Sequence, residues 1–310
     1  DISDCLITNE PVTDNVSECI ELDGGIWDMN NAANPRGTDK DKSYWGLALR
    51  FYKVNGLTIR DLTVANAETY FIRLCRINHF RILNVRLFTS LPAANQDGVH
   101  MNGYCFNGVI RGLYAISPLT PNDDMIAFNA FDGLGYQNDG IELGPIENIE
   151  VEDVYAESAY GFIRILSKEQ EQSVRNIRIR NCRGGVRYLF LNANGFAEAK
   201  PGSGNIENVD ISNIKVHKLP INTTAKDYSS YSILGLELHM ENVVIRDFER
   251  VPLDINCDRP TFNLHPLCGD ILEYDPDPLN LSGFCKDKRG QTILPDGGFR
   301  LLRIGQRKEE

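Results

Sequence analysis

The sequence predicts an all-β chain wound into a single-stranded parallel β-helix, closed by an irregular C-terminal cap. Three observations carry that expectation. One phrase returns along the chain, it alternates apolar and polar residues with period two, and no long stretch has helical periodicity. The phrase reads apolar-x-Asn-apolar-x-apolar-x-Asn/Asp-apolar, as in Ile146-Glu-Asn-Ile-Glu-Val-Glu-Asp-Val. Alternation marks a strand with one face buried and one face wet. Strands that recur every 20–35 residues or so, without helices between them, suit a solenoid that buries one continuous apolar column.

The elements follow in order. Asn55-Gly-Leu-Thr-Ile-Arg-Asp-Leu and Phe80-Arg-Ile-Leu-Asn-Val-Arg-Leu are the first two copies of the phrase. Two short apolar strands, Val99 to Met101 and Met125 to Phe128, each follow a polar cluster: Asn95-Gln-Asp-Gly and Asn122-Asp-Asp. Further copies begin at Ile146, Val174, Ile206 and Met240. The recurring Asn or Asp predicts a turn at each copy, because its short side chain bonds local backbone. Stacked Asn side chains can also form a ladder from coil to coil. Lys168 to Gln172 is the kind of short run that favours helix but is too brief to count as one. Asn-Gly pairs at 55–56, 102–103, 107–108 and 194–195 keep a β-sandwich with hairpin turns as the alternative. A propeller would show a recurring Trp-Asp signature, and none recurs. Residues 1–250 are therefore read as the β-helix. From Arg250 the composition turns to Pro, Asp and Cys, and 251–310 is read as a cap or tail packed on the last coil.

Composition excludes some functions. The 310 residues are 42% hydrophobic and 24% charged, with a formal net charge of -11. A general nucleic-acid partner would need a basic surface. No apolar run reaches the 18 or so residues of a membrane span. The opening Asp1-Ile-Ser-Asp-Cys5 has no charged-then-apolar leader, and the compartment stays open. None of the eight cysteines forms Cys-x-x-Cys, which argues against a structural zinc site. Cys75 and Cys182 sit in strand-like runs and read as buried hydrophobes, whereas Cys257, Cys268 and Cys285 are the better disulfide candidates. No phosphate loop, His cluster or serine elbow is present, so no cofactor and no metal are expected.

The chemistry points to Asp97, Asp123 and Asp124. Neighbouring coils would bring these three carboxylates onto one surface, where repulsion raises at least one pKa. Two carboxyl groups with separated pKa values are what general acid–base work near neutral pH requires. A bend at Asp97-Gly98 could also bring His100 close to Asp97. Arg164 is a charge within the apolar strand Phe162-Ile-Arg-Ile-Leu and would point outward. Asn129, Asp132, Asp139 and Glu142 add polar groups around the cleft; Asp139-Gly140 and Glu142 could form a second acidic cluster, but turn and loop roles are favoured. Trp45, Tyr70, Tyr104, Phe131 and Tyr136 are candidates for stacking on a ligand, set against the usual role of aromatics in a core.

Asn-x-Asp-Gly-hydrophobic followed by Asn-Asp-Asp-x-hydrophobic-Ala, on successive repeats, resembles the polygalacturonase family, glycoside hydrolase family 28. Gly24-Gly-Ile-Trp-Asp and the segment from Asn55 to Leu87 are similar to that family too, so the resemblance covers roughly residues 20 to 250. It implies a right-handed parallel β-helix, a polysaccharide or oligosaccharide as partner, and inverting hydrolysis of a glycosidic bond. By the same resemblance Asp123 is the general acid, and Asp97 and Asp124 activate water. Two departures stand out. Where the family has Gly-His-Gly, this chain has Ala159-Tyr160-Gly161, and where the family has Arg-Ile-Lys it has Arg187-Tyr188-Leu189. Tyr160, Arg187, Arg164, His100 and Asn129 are thus the expected substrate-binding residues, on a substrate that differs from the usual galacturonate polymer. A β-helical lyase or epimerase and a non-catalytic carbohydrate-binding β-helix are the rivals.

Overall fold

A computed structural model describes residues 5–9, 15–35, 46–132, 142–200, 202–219 and 232–248, and the strands at 261–264, 273–274, 292–293 and 298–304. Cys257, Cys268, Cys285, Trp45, Tyr136 and Asp139 lie outside the described residues. The strands in chain order are β1 (Cys5–Thr8), β2 (Ser17–Asp23), β3 (Ile26–Asp28), β4 (Leu47–Arg60), β5 (Thr63–Ala65), β6 (Ile72–Phe88) and β7 (Val99–Met101). They continue with β8 (Cys105–Ala115), β9 (Asp124–Asn129), β10 (Ile146–Ala159), β11 (Gly161–Leu166), β12 (Val174–Val186), β13 (Leu191–Ala193) and β14 (Ile206–Lys218). The last are β15 (Ser232–Leu236), β16 (Met240–Phe248), β17 (Thr261–Leu264), β18 (Glu273–Tyr274), β19 (Thr292–Ile293) and β20 (Gly298–Ile304).

The fold is a parallel β-helix. One row stacks β2, β4, β6, β8, β10, β12, β14 and β16, every neighbour parallel. A second row runs from the first half of β6 through β7, β9, β11, β13 and β15 to β17, again parallel throughout. Past residue 250 the pairing changes: β16 with β20 and β17 with β19 are antiparallel. The core is a stack of like residues in register. Ile59, Ile82, Ile110, Val151, Ile179, Ile211 and Ile245 fill one column and are at most 1% exposed. Cys75 and Cys182 are buried free thiols, in line with their reading as small hydrophobes.

The repeated phrase encodes two corners. Its first Asn column runs through Asn107, Asn148, Asn176, Asn208 and Asn242, and its second through Asp153, Asn181, Asn213 and Asp247. All of these residues have φ between 51° and 61°. That left-handed conformation costs most L-residues free energy, and Asn and Asp tolerate it best. A single such residue turns the chain while the backbone ladder to the neighbouring coils continues, which is why β10 runs through two corners as one element. The side chains also bond along the stack. Amides ladder from Asn242 to Asn208, Asn176, Asn148, Asn107, Asn78 and Asn55 at 2.7–3.3 Å, linking residues 23 to 41 apart in sequence. The Asn55-Gly56 and Asn107-Gly108 pairs thus fall at corners inside parallel strands, so the hairpin turns of a sandwich are not formed there.

Candidate functional site

The second row of strands carries the site. Parallel strands on adjacent coils lie about 4.8 Å apart, so residues in register become neighbours. Asp97 lies just before β7, Asp123 just before β9, and Asp124 begins β9. Gly98 N–H donates to the Asp124 carbonyl at 2.8 Å, which fixes these two coils against each other. The Asp124 backbone N–H donates to Asp97 Oδ1 at 3.0 Å. One oxygen from each of Asp97, Asp123 and Asp124 lies within 4.8 Å of the other two. The three carboxylates expected from the sequence to converge do so.

They line a cleft of about 350 Å³, together with Tyr70, Asn95, His100, Asn129, Asp132, Tyr160, Arg164, Tyr188, Asn192, Asn194 and Phe196 among others. Asp97 and Asp124 are buried in its floor, and Asp123 is the more open of the three. Burial in the cleft wall, then the charge of Asp97, pushes the Asp123 carboxyl up to about 8, against the opposing pull of Arg164 and Arg187. Burial, with Asp123 and Asp97 beside it, also raises Asp124 well above the ordinary carboxylate range. Among the described residues Asp124 Oδ1 has no hydrogen-bond partner. It sits where a side chain at Gly161 would project, since a Cβ there would come within 2.0 Å of it. The glycine at the start of β11 is therefore a requirement of space for the acid cluster.

His100 is held on both ring nitrogens. Nδ1 is 2.5 Å from Asp97 Oδ2, and Nε2 is 3.4 Å from Asp132 Oδ2. Burial disfavours the imidazolium, but the hydrogen bonds and charges of Asp132 and Asp97 outweigh it and push the ring to about 9. Tyr70 stacks on the ring, with centroids 4.0 Å apart and planes at 19°. Asn102 donates to Asp132 at 3.3 Å and is itself held by Arg73 Nε at 3.0 Å. The Asp97–Gly98 bend thus brings Asp97 and His100 together, although an unbroken strand would have placed them on opposite faces.

The remaining expected residues divide. Tyr160 lines the cleft, its ring parallel to Tyr188 of the next coil at 5.0 Å and 7°. Arg164 reaches the cleft from β11, with Nη1 3.5 Å from the Asn192 carbonyl and its guanidinium 5.8 Å from the centre of Phe196. Asn129 lines the cleft at the end of β9. Arg187 is not among the lining residues. It donates to Asn122 Oδ1 at 2.7 Å and to the Ser158 carbonyl at 3.1 Å, and it packs on Tyr160 from behind. Asp132, read from the sequence as a polar group near the cleft with a turn role, lines the cleft directly. Glu142 joins Arg76 and Tyr52 away from the cleft lining. Tyr104 lies under Arg76, and Phe131 is buried. Asn192 and Phe196 were not anticipated, and Asn194 was read only as part of an Asn-Gly turn pair, because they lie between copies of the repeated phrase and match none of its positions.

The acid cluster is spaced so that a hard cation could sit among its oxygens. The two cations already beside it, His100 and Arg164, work against a third, and we assign no metal there.

No family model matches the sequence, and no curated protein matches it. Among solved structures, endo-xylogalacturonan hydrolase from Aspergillus tubingensis aligns over 80% of this chain and 76% of its own, with a TM-score of 0.45 and 12% identity. At that identity the likeness concerns the course of the chain and says nothing of which residues act.

Proposed function

We propose that the chain is a β-helical glycoside hydrolase acting on a polysaccharide or an oligosaccharide derived from one. One observation carries this reading: three carboxylates converge in a cleft, where burial and the charge of Asp97 push the most open of them, Asp123, toward its protonated form. Asp123 donates that proton to the glycosidic oxygen as the bond to the anomeric carbon breaks. A water adds its oxygen to that carbon and gives up a proton to Asp97. His100, charged and bonded to Asp97, offsets the negative charge of this base and fixes its orientation. Asp124 holds the water with Asp97, supplying the oxygen that has no partner of its own.

Inversion ordinarily needs the two carboxyl groups roughly 6.5–9.5 Å apart, and retention about 5–5.5 Å. The nearest oxygens here lie within 4.8 Å, a compact arrangement for inversion. The anomeric configuration of the first product, read by proton NMR, decides between the two.

The test is incubation of the wild-type protein and Asp123→Asn with neutral and acidic polysaccharides, followed by chromatography with ultraviolet detection. The proposal expects new saturated reducing ends from the wild type and at least a thousandfold less from the variant. Undiminished turnover by Asp123→Asn removes the mechanism. Products absorbing in the ultraviolet would show elimination, and binding without any product would leave a carbohydrate-binding β-helix.

A further inference from the structure

The cleft extends past the acid cluster, over β11 and β13, into a part that the chemistry above does not use. We infer that this part is a sugar subsite for an uncharged pyranose, seated on Phe196 and held by the amides of Asn129, Asn192 and Asn194. The inference rests on the hydrolase reading for its place beside the scissile bond, but its argument is independent of it.

Phe196 lines the cleft and is 40% exposed there, the one aromatic ring among the exposed large apolar side chains of the described residues. It is fixed there. Phe196 and Ala199 exchange backbone hydrogen bonds of 2.9 and 3.0 Å, and the tip of that turn is tied down by Glu198 to Lys168 at 2.9 Å. An aromatic ring at a cleft offers a flat apolar surface with few rotatable bonds to order, matching the C–H face of a pyranose. The three amides line the same space and are each 8–9% exposed. An amide both donates and accepts, as a sugar hydroxyl does. Among the described residues Asn129 and Asn194 each keep a buried side-chain oxygen with no partner.

Charge narrows the ligand. The described lining holds four aspartates, at 97, 123, 124 and 132, and two cations, His100 and Arg164. His100 lies between Asp97 and Asp132, and Arg164 faces Asn192 and Phe196. Arg187 is bonded inside the wall. With Asp123 and Asp124 pushed toward their protonated forms, Asp97 and Asp132 match the two cations, so the lining has no surplus positive charge to offset an acidic sugar's carboxylate, whose burial would cost free energy. A hydroxyl-bearing neutral sugar meets no such cost.

Calorimetric titration of the 310-residue chain carrying Asp123→Asn tests this, because that substitution keeps the neutral side chain of a protonated acid and preserves the ligand. The probes are neutral oligomers of galactan, arabinan, xylan, mannan and glucan, acidic oligogalacturonates, and cationic chitosan oligomers. The inference expects the tightest binder to be neutral, with affinity at least tenfold weaker in Phe196→Ala and Asn194→Ala and retained in Phe196→Trp. It is overturned if the tightest binder is acidic or cationic, if no neutral oligomer binds, or if Phe196→Ala binds unchanged. The two proposals fail separately. A neutral sugar held through Phe196 but never cleaved by the wild type removes the hydrolase and leaves the subsite. Asp123-dependent hydrolysis of an acidic chain alone does the reverse.

Discussion

Asp123 trades stability for a proton. Its folded-state pKa of about 8 lies above the ordinary carboxylate value of about 4, so between those pH values the folded chain holds a proton that the unfolded chain releases. Stability from this group is therefore greatest in acid and falls as pH rises toward 8. Asp123→Asn cannot ionise, so its melting temperature should equal that of the wild type near pH 4 and exceed it by several degrees at pH 8. Activity of the wild type should fall above about pH 8, as the acid loses its proton. Equal melting curves at pH 8 would show that Asp123 is not held protonated. Gly161 tests the same cluster from the other side. A methyl group there would displace Asp124 Oδ1, so Gly161→Ala should keep its circular dichroism spectrum and lose at least a hundredfold in kcat. The three aspartates were legible in the sequence because two motif clusters open successive short strands. Asp132 was legible as a polar group near the cleft but not as a partner of His100, since that contact spans 32 residues and depends on how β9 leads out of the coil. Arg187 was legible only through the family resemblance and not as a half-buried tie to Asn122, which lies 65 residues away.

At the scale of the element, β6, β7 and the residues after β9 act together through His100. Its ring faces Asp97, Asp132, Asn102 and Tyr70, and Arg73 stands behind Asn102. A histidine raised to about 9 stabilises the fold fully below its unfolded value of about 6.5, and that contribution is lost as pH rises through 9. Asp132→Asn should move the His100 titration, followed by NMR of the imidazole nitrogens, to lower pH and flatten the loss of stability between pH 6.5 and 9. An unmoved titration would mean that Asp97 alone sets the charge. The corners make a second element-level case. Asn176 accepts from Asn208, donates to Asn148 and sits at φ 57°. Asn176→Gly removes both side-chain bonds but keeps the backbone easy, whereas Asn176→Ala adds about 1–2 kcal/mol of left-handed strain. The alanine variant should therefore denature at lower urea than the glycine variant, and both below wild type. Such corners were readable from sequence because a left-handed residue is a demand on one position. The register between coils was not, because it is set by contacts 23 to 41 residues apart.

Each coil of the solenoid touches mainly the coils beside it, so damage should spread by neighbours and not through the molecule as a whole. Ile179 lies in the core column of β12, between Val151 of β10 and Ile211 of β14, and is fully buried. Ile179→Ala removes three carbons from that column, a loss of the order of 2–5 kcal/mol where the wall cannot collapse. Hydrogen exchange should then speed up in β10, β12 and β14 while β2 and β4 keep their protection. The position along the stack decides what happens to activity. Asp97, Asp123 and Asp124 are set by the coils of β6 to β9, whereas Tyr188 follows β12 and Phe196 follows β13. Ile179→Ala should therefore raise KM more than it lowers kcat. Ile110→Ala, the matching change in β8 of the coil that carries Asp123, should lower kcat more. A uniform rise in exchange along the whole chain in either variant would show instead that the coils unfold as one cooperative unit, and the division of labour along the cleft would lose its physical basis.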